Sequence, residues 1–204
     1  MSAHQEPLSS EAGRRAMLQS IVALVLAVFG AKACSIMRFD EGSRELVFEA
    51  VAGEGEDTLV GRRIPASTGI AGWSLASEEP ISIDDVLSHP RFDREVAEQT
   101  GYVPTKLTVF PLLYGEESLG VLSVLDAGAT AHFGLAGMES LAHFASHAAM
   151  TLAAVAAARR AEASRDEAPL QALAEAIDSL GEQGRRRALT LIAALEPLIR
   201  QDGA

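Results

Sequence analysis

Glu139, His143 and His147 lie four residues apart in a stretch with helical periodicity, so one helix face could hold all three. That spacing can ligate a metal or a haem. A polar stripe on a half-buried helix gives the same pattern and is far commoner. His89 and His132 sit in predicted loops and add only candidate ligands. Gly72-Trp73-Ser74-Leu75-Ala76 comes close to a nucleophile elbow, which needs a strained strand–turn–helix. Here Ser74 falls inside a predicted helix, and no His and acid complete a triad. Gly53-Glu54-Gly55 lacks a third glycine, and its acidic neighbours repel phosphate. The single cysteine, Cys34, cannot form an internal disulfide or run a thiol cycle that needs a resolving thiol. No kinase, cyclase, phosphodiesterase or ATPase motif is present, so the chain is expected to be no enzyme and to carry no cofactor.

Charge narrows the partners. The 204 residues carry 17 Lys+Arg against 28 Asp+Glu, a net charge of −11. Most of it belongs to residues 31–158, with 8 basic and 18 acidic side chains; residues 159–204 are nearly neutral. Nucleic-acid binding needs a basic face, so it is not expected. The only basic cluster, Arg185-Arg186-Arg187, reads as a solvated feature near a helix end, with docking to an acidic partner or anionic lipid as the alternative. The run Ile21 to Phe29, preceded by Arg14-Arg15 and followed by Cys34, superficially suggests a secretion signal. It is far shorter than the roughly 20 apolar residues that span a bilayer. Leu18, Ile21, Val25 and Val28 recur instead at helical spacing. No membrane partner is expected, and the location is expected to be cytoplasmic.

The elements follow from periodicity. A helix capped by Ser9 or Ser10 runs to about Phe29. Ala33 to Phe39 alternates, with Ala33, Ser35, Met37 and Phe39 on one face; Asp40 to Ser43 is turn chemistry, and Glu45 to Val51 completes a hairpin. An extended piece, Thr58 to Pro65, leads into a short helix from Ser67 to Ala76 with a Ser/Thr cap. Pro80 to Asp84 is a short strand, and Phe92 to Gln99 a short helix ended by Gly101. Lys106 to Tyr114 and Ser118 to Asp126 form a second, apolar hairpin that should lie centrally. A long Ala-rich helix covers about 135–163. This order describes an α+β domain, one antiparallel sheet with helices packed on it. Residues 159–204 read as a separate helical tail: a linker at about 164–169, then a hairpin of helices at about 170–181 and 185–200.

Several short pieces in this order resemble the GAF family of small-molecule-sensing domains. They are Arg62-Arg63-Ile64-Pro65 with Gly69-Ile70-Ala71-Gly72-Trp73, then Pro80 to Val86, His89-Pro90-Arg91-Phe92 and Gly101-Tyr102. Phe110-Pro111-Leu112, Gly120-Val121-Leu122, and Phe133 ahead of Leu141 to Ala149 complete the set. The resemblance covers about residues 15–158, with 1–14 as a lead-in. It implies a six-stranded antiparallel sheet with flanking helices and a ligand cavity before it, walled by residues 62–104. By that analogy Trp73, Val86, Phe92 and Tyr102 wall the pocket, and Asp84, Lys106 and Thr108 supply polar contacts. Trp73 and Phe92 could equally be plain core. Arg91 and Lys106 are the nearby cations for an anionic ligand. Cyclic-nucleotide-binding members carry an Asn-Lys pair where Asp126-Ala127 stands here, so that ligand is not expected. Cys34 is not in the setting of bilin-attaching relatives, and one cysteine excludes the methionine-sulfoxide-reducing branch.

The expected function is therefore a sensory module. It would bind an unidentified small molecule, form a homodimer, and signal to a protein partner through its terminal helices, residues 165–204 among them. A module for dimerisation or protein interaction that binds no ligand is the alternative, and a haem or redox sensor the next. Two local expectations accompany this. Gly120 should mark a close approach by another backbone or a packed helix, and Pro111 a bulge or a place where no ladder donor is required.

Overall fold

Alternating side chains in two neighbouring strands set the architecture of this computed structural model, which describes residues 11–128 and 136–154, with 156, 157, 181, 182 and 186 besides. Strand β1 (Ala33–Asp40) pairs antiparallel with β2 (Glu45–Gly53) on one side and with β6 (Glu117–Leu125) on the other. β3 (Arg63–Pro65), β4 (Ile81–Ile83) and β5 (Leu107–Tyr114) complete a six-stranded sheet of order β3-β2-β1-β6-β5-β4, every pair antiparallel. The fold is α+β, as expected. β6 is central, while β5 stands one strand from the edge.

Period-2 alternation gives each strand two faces. Cys34, Ile36, Ala50, Phe110, Leu122 and Val124 pack with the helices α1 (Glu11–Phe29) and α5 (residues 136–154). Leu18, Val22 and Val25 of α1 and Leu141 of α5 are wholly buried in that layer. Each such side chain contributes about 1.5–3 kcal/mol relative to leaving it in water. α1 is long and apolar enough to cross a membrane by length and composition alone. In the fold its Leu18, Ile21, Val22, Val25 and Phe29 are instead core.

The opposite face carries Met37, Leu46, Phe48, Val51, Val109 and Val121. It is covered by the short elements α2 (Glu56–Leu59), α3 (Gly69–Ser77) and α4 (Arg94–Gln99). The expected extended piece from Thr58 is thus a helical turn followed by a three-residue strand. Gly55 sits at φ 85 and its carbonyl accepts from the N–H groups of Thr58 and Leu59, which swings Leu59 into the core. α3 is capped by Thr68, but no side-chain hydrogen bond makes the cap. α4 begins two residues later than expected, where the Asp93 carboxylate accepts from the Val96 N–H at 3.0 Å.

The sheet has two irregularities. Met37 opposes Phe48 while Ile36 opposes Ala50, so Glu49 is an extra residue in β2, and it binds Arg38 at 2.7 Å. The second falls between Pro111 and Leu113, which oppose Val121 and Ser118, so the extra residue is in β6 and Pro111 stands beside a bulge, one of the two settings expected of it. The close approach at Gly120 is also there: a Cβ on it would lie 2.0 Å from the Met37 carbonyl oxygen.

The chain divides into two units, residues 1–156 and 157–204. The Ser9/Ser10 cap, His132, Phe133 and nearly all of the expected helical tail lie outside the described residues. Within that tail, the exposed Arg186 guanidinium stands 3.6 Å from the Glu182 carboxylate, an i,i+4 pair.

Candidate ligand cavity

Between the second face of the sheet and α3 and α4 lies a cavity of about 120 Å³. Its floor is sheet: Met37, Phe48, Val51 and Leu125 supply apolar surface. Two buried serines, Ser35 of β1 and Ser123 of β6, are register partners side by side in that floor. Ile70 and Ala71 of α3, and Phe92, Val96 and Ala97 at α4, form the opposing wall. Tyr102, Thr100 and Pro104 close one end, beside Leu59 of α2.

The loop bearing Tyr102 is held by one carboxylate. Asp126, at φ 47 just past β6, accepts the Tyr102 hydroxyl on one oxygen. Its other oxygen accepts the N–H groups of Thr105 at 2.9 Å and Lys106 at 2.7 Å. Burial and the hydrogen bond to Asp126 push the Tyr102 phenol up to about 12. The phenol therefore stays a neutral donor at the cavity mouth throughout the physiological range.

Among the described residues, no Lys, Arg or His lines the cavity, and its only acidic residues are Glu54 and Asp93. Cys34 also borders it, with a buried thiol whose pKa burial raises strongly. Such a thiol is a poor nucleophile.

Of the residues expected at the pocket, Phe92 and Tyr102 line this cavity. The other six lie elsewhere. Thr108 shares the register parity of Phe110, so it faces the helix layer, where its hydroxyl meets Ser82 at 2.9 Å. Asp84 and Lys106 form a surface ion pair at 3.4 Å, with their side chains 91% and 57% exposed. Val86 is fully buried and tied by its N–H to the Thr105 carbonyl. Trp73 and Arg91 line a different groove, where the Arg91 guanidinium lies 5.0 Å from the indole centroid and His89 stacks at 5.8 Å. Ser35, Ser123, Val96, Ala97 and Thr100 were not singled out by sequence. Ser35 could have been, as a small polar residue on the alternating face of β1.

His143, His147 and Glu139 are exposed on α5. Among the described residues, no group of three or more His, Cys, Asp and Glu gathers to hold a metal. Ser74 is buried within α3, and its hydroxyl donates to the Glu79 carbonyl at 2.8 Å.

A sheet of this order, with two helices on one face and a cavity under short helices on the other, defines an α+β sandwich class of domain. The GAF domain family matches residues 13–152, and the chain belongs to that family. Among solved structures it is similar to the GAF domain of a phosphoenolpyruvate-protein phosphotransferase from Coxiella burnetii, at 25% identity and a TM-score of 0.63, over 74% of this chain and 86% of that one. It is also similar in fold to the free methionine-R-sulfoxide reductase of Neisseria meningitidis, at 24% identity and a TM-score of 0.59, over 74% and 84%. The second GAF domain of DevS from Mycobacterium smegmatis aligns at 20% identity and a TM-score of 0.56, over 72% and 98%.

Proposed function

We propose that this GAF domain is a cytoplasmic sensor, not an enzyme, that takes a small, uncharged, largely apolar molecule carrying one hydrogen-bonding group. The lining of the cavity carries this reading. Apolar walls surround the two floor serines, and no cation among the described residues lines the cavity to neutralise an anion. A cavity of about 120 Å³ is close to the size of the engineered, dry protein cavity that admits benzene, roughly 150 Å³. The ligand class is therefore a phenol or a short branched alcohol or ketone, oriented by Ser35 and Ser123. The nearby Asp93 and Glu54 carboxylates oppose an organic acid.

Occupancy has a physical route outward. Gln19 of α1 donates to the Val51 carbonyl at 2.7 Å and to Glu56 at 3.3 Å. Val51 and Leu59 both line the cavity, and Glu56 opens the helical turn that carries Leu59. A ligand that shifts α2 would alter the bond network of α1. α1 also presents Met17, Leu24 and Val28, exposed apolar residues on one helix face, and a second copy of the chain would cover them. We read the domain as a homodimer whose α1 helices meet, signalling onward to a protein partner.

A thermal-shift series with phenol, cresols, small alcohols and their carboxylate counterparts tests the ligand class. Stabilisation by neutral members is expected, growing with the logarithm of concentration above the Kd as mass action requires. Ser123→Val should weaken it about tenfold while leaving the unliganded melt nearly unchanged. No shift from any neutral compound would sink the reading.

A further inference from the structure

The groove that takes Trp73 and Arg91 away from the cavity has a character of its own. It measures about 510 Å³ and lies between the end of the β1–β2 hairpin, α3 and the start of β6. Phe39, Arg44, Ser67, Trp73, Arg91 and Ser118 line it, and no acidic residue among the described ones does. In a stretch carrying 8 basic and 18 acidic side chains over residues 31–158, that is an unusual concentration of positive charge.

The two guanidiniums are held open. Arg44 lies 5.5 Å from the Phe39 centroid and Arg91 5.0 Å from the Trp73 centroid, so each is braced by an aromatic face. Neither has a carboxylate partner among the described residues. Two of the three acids close to Arg44 in sequence are already engaged, Asp40 and Glu45 with Arg63 at 3.2 and 2.9 Å; the third, Glu41, makes no ion pair with Arg44. Arg44 itself stands at φ 58, a conformation glycine or asparagine adopts at lower cost. The groove also contains the one buried side-chain oxygen without a hydrogen-bond partner among the described residues, Ser118 Oγ.

We propose that this groove is a second ligand site, selective for a small organic carboxylate with an apolar body. Guanidinium forks match a planar carboxylate, and the Ser118 and Ser67 hydroxyls can donate to its oxygens. Phe39, Trp73 and Leu75 offer apolar surface to the rest of the molecule. The negative charge of the surrounding domain disfavours a dianion such as a phosphate monoester more than a monoanion. The site is separate from the sheet–α4 cavity, whose lining shares none of its residues.

Trp73 is the only tryptophan of the chain, so its fluorescence reports on the groove directly. Titration of the full chain with benzoate should give a saturable change in emission, and benzamide, its neutral isostere, should bind at least tenfold more weakly. Arg44→Gln leaves the reporter's own cation contact intact and should weaken benzoate about tenfold. Ser123→Val, in the other cavity, should leave benzoate affinity unchanged. The proposal is overturned by an absent or unsaturable response. Equal binding of benzamide overturns it too, as does an affinity that Ser123→Val lowers and Arg44→Gln does not. Far-ultraviolet circular dichroism of Arg44→Gln confirms that any loss is not unfolding.

Discussion

Tyr102 donates its phenolic hydrogen to Asp126, and that single carboxylate also accepts the backbone N–H groups of Thr105 and Lys106. The mouth of the cavity therefore hangs on the residue at the C-terminal end of β6. Asp126→Ala removes three accepted hydrogen bonds at a half-buried site and should cost about 3 kcal/mol in chemical denaturation.

The same bond gives a pH signature. Tyr102 is raised from its ordinary value near 10 to about 12, so folding favours the protonated phenol. Its stabilising contribution is complete below pH 10 and is lost as pH rises from there through 12. Absorbance titration at alkaline pH, with Tyr102→Phe as the difference control, should show this phenol ionising late. In Asp126→Ala it should ionise closer to 10. A Tyr102 that ionises at its ordinary value in the unmodified protein contradicts the bond.

Gly120 is the second place where one residue decides a neighbour's position. Its φ is 152, and an added Cβ would meet the Met37 carbonyl oxygen at 2.0 Å and the Arg38 Cα at 3.0 Å. Both are backbone of the central strand β1, so no side chain can rotate away. Gly120→Ala should cost about 3 kcal/mol, read as a lower urea midpoint with little change in slope. A near-neutral variant would mean that β1 and β6 are farther apart at this point.

How much of this could be read from sequence depends on whether a pattern had contrast. β1 did: Ser35 and Met37 alternate with Cys34 and Ile36, and the two sets do pack on opposite faces. Pro111 and Gly120 were legible because each lacks an atom that a regular strand needs or leaves room for. β5 had no contrast. Residues 109–113 are all apolar, so nothing told which face Thr108 would take, and it took the helix side. α3 hid a different division. Gly69, Ile70 and Ala71 reach the cavity, while Gly72, Trp73, Leu75 and Ala76 line the groove. At 100° per residue, a run apolar all round cannot announce which residues face which concavity. The serine pair was illegible for another reason: Ser35 and Ser123 are distant in sequence and become neighbours only through β1–β6 register.

Cys34 separates the sensor reading from a redox one. It is fully buried in β1, and burial drives its thiol pKa far above the ordinary value, so thiolate is scarce at neutral pH. Ellman's reagent should find no reactive thiol in the folded protein and one full equivalent after denaturation. Rapid reaction of the native protein would instead favour the redox alternative. A ligand that fills the neighbouring cavity should slow whatever residual labelling local opening allows.

The proposed homodimer rests on α1, and here the two faces of one helix make opposite predictions. Leu18, Val22 and Val25 face the core and are fully buried, so a charge at any of them should unfold the domain. Leu24 and Val28, at 54% and 62% exposed, lie one turn apart on the outer face. Leu24→Glu with Val28→Glu should leave the melt of the monomer unit within about 1 kcal/mol of the original, since surface exchanges are seldom felt in the fold. In a dimer the same pair places four carboxylates in one apolar contact. Light scattering behind size exclusion should then report a halved mass. An unmodified protein already of monomer mass, or a double variant that keeps its mass, would show that this face has another occupant.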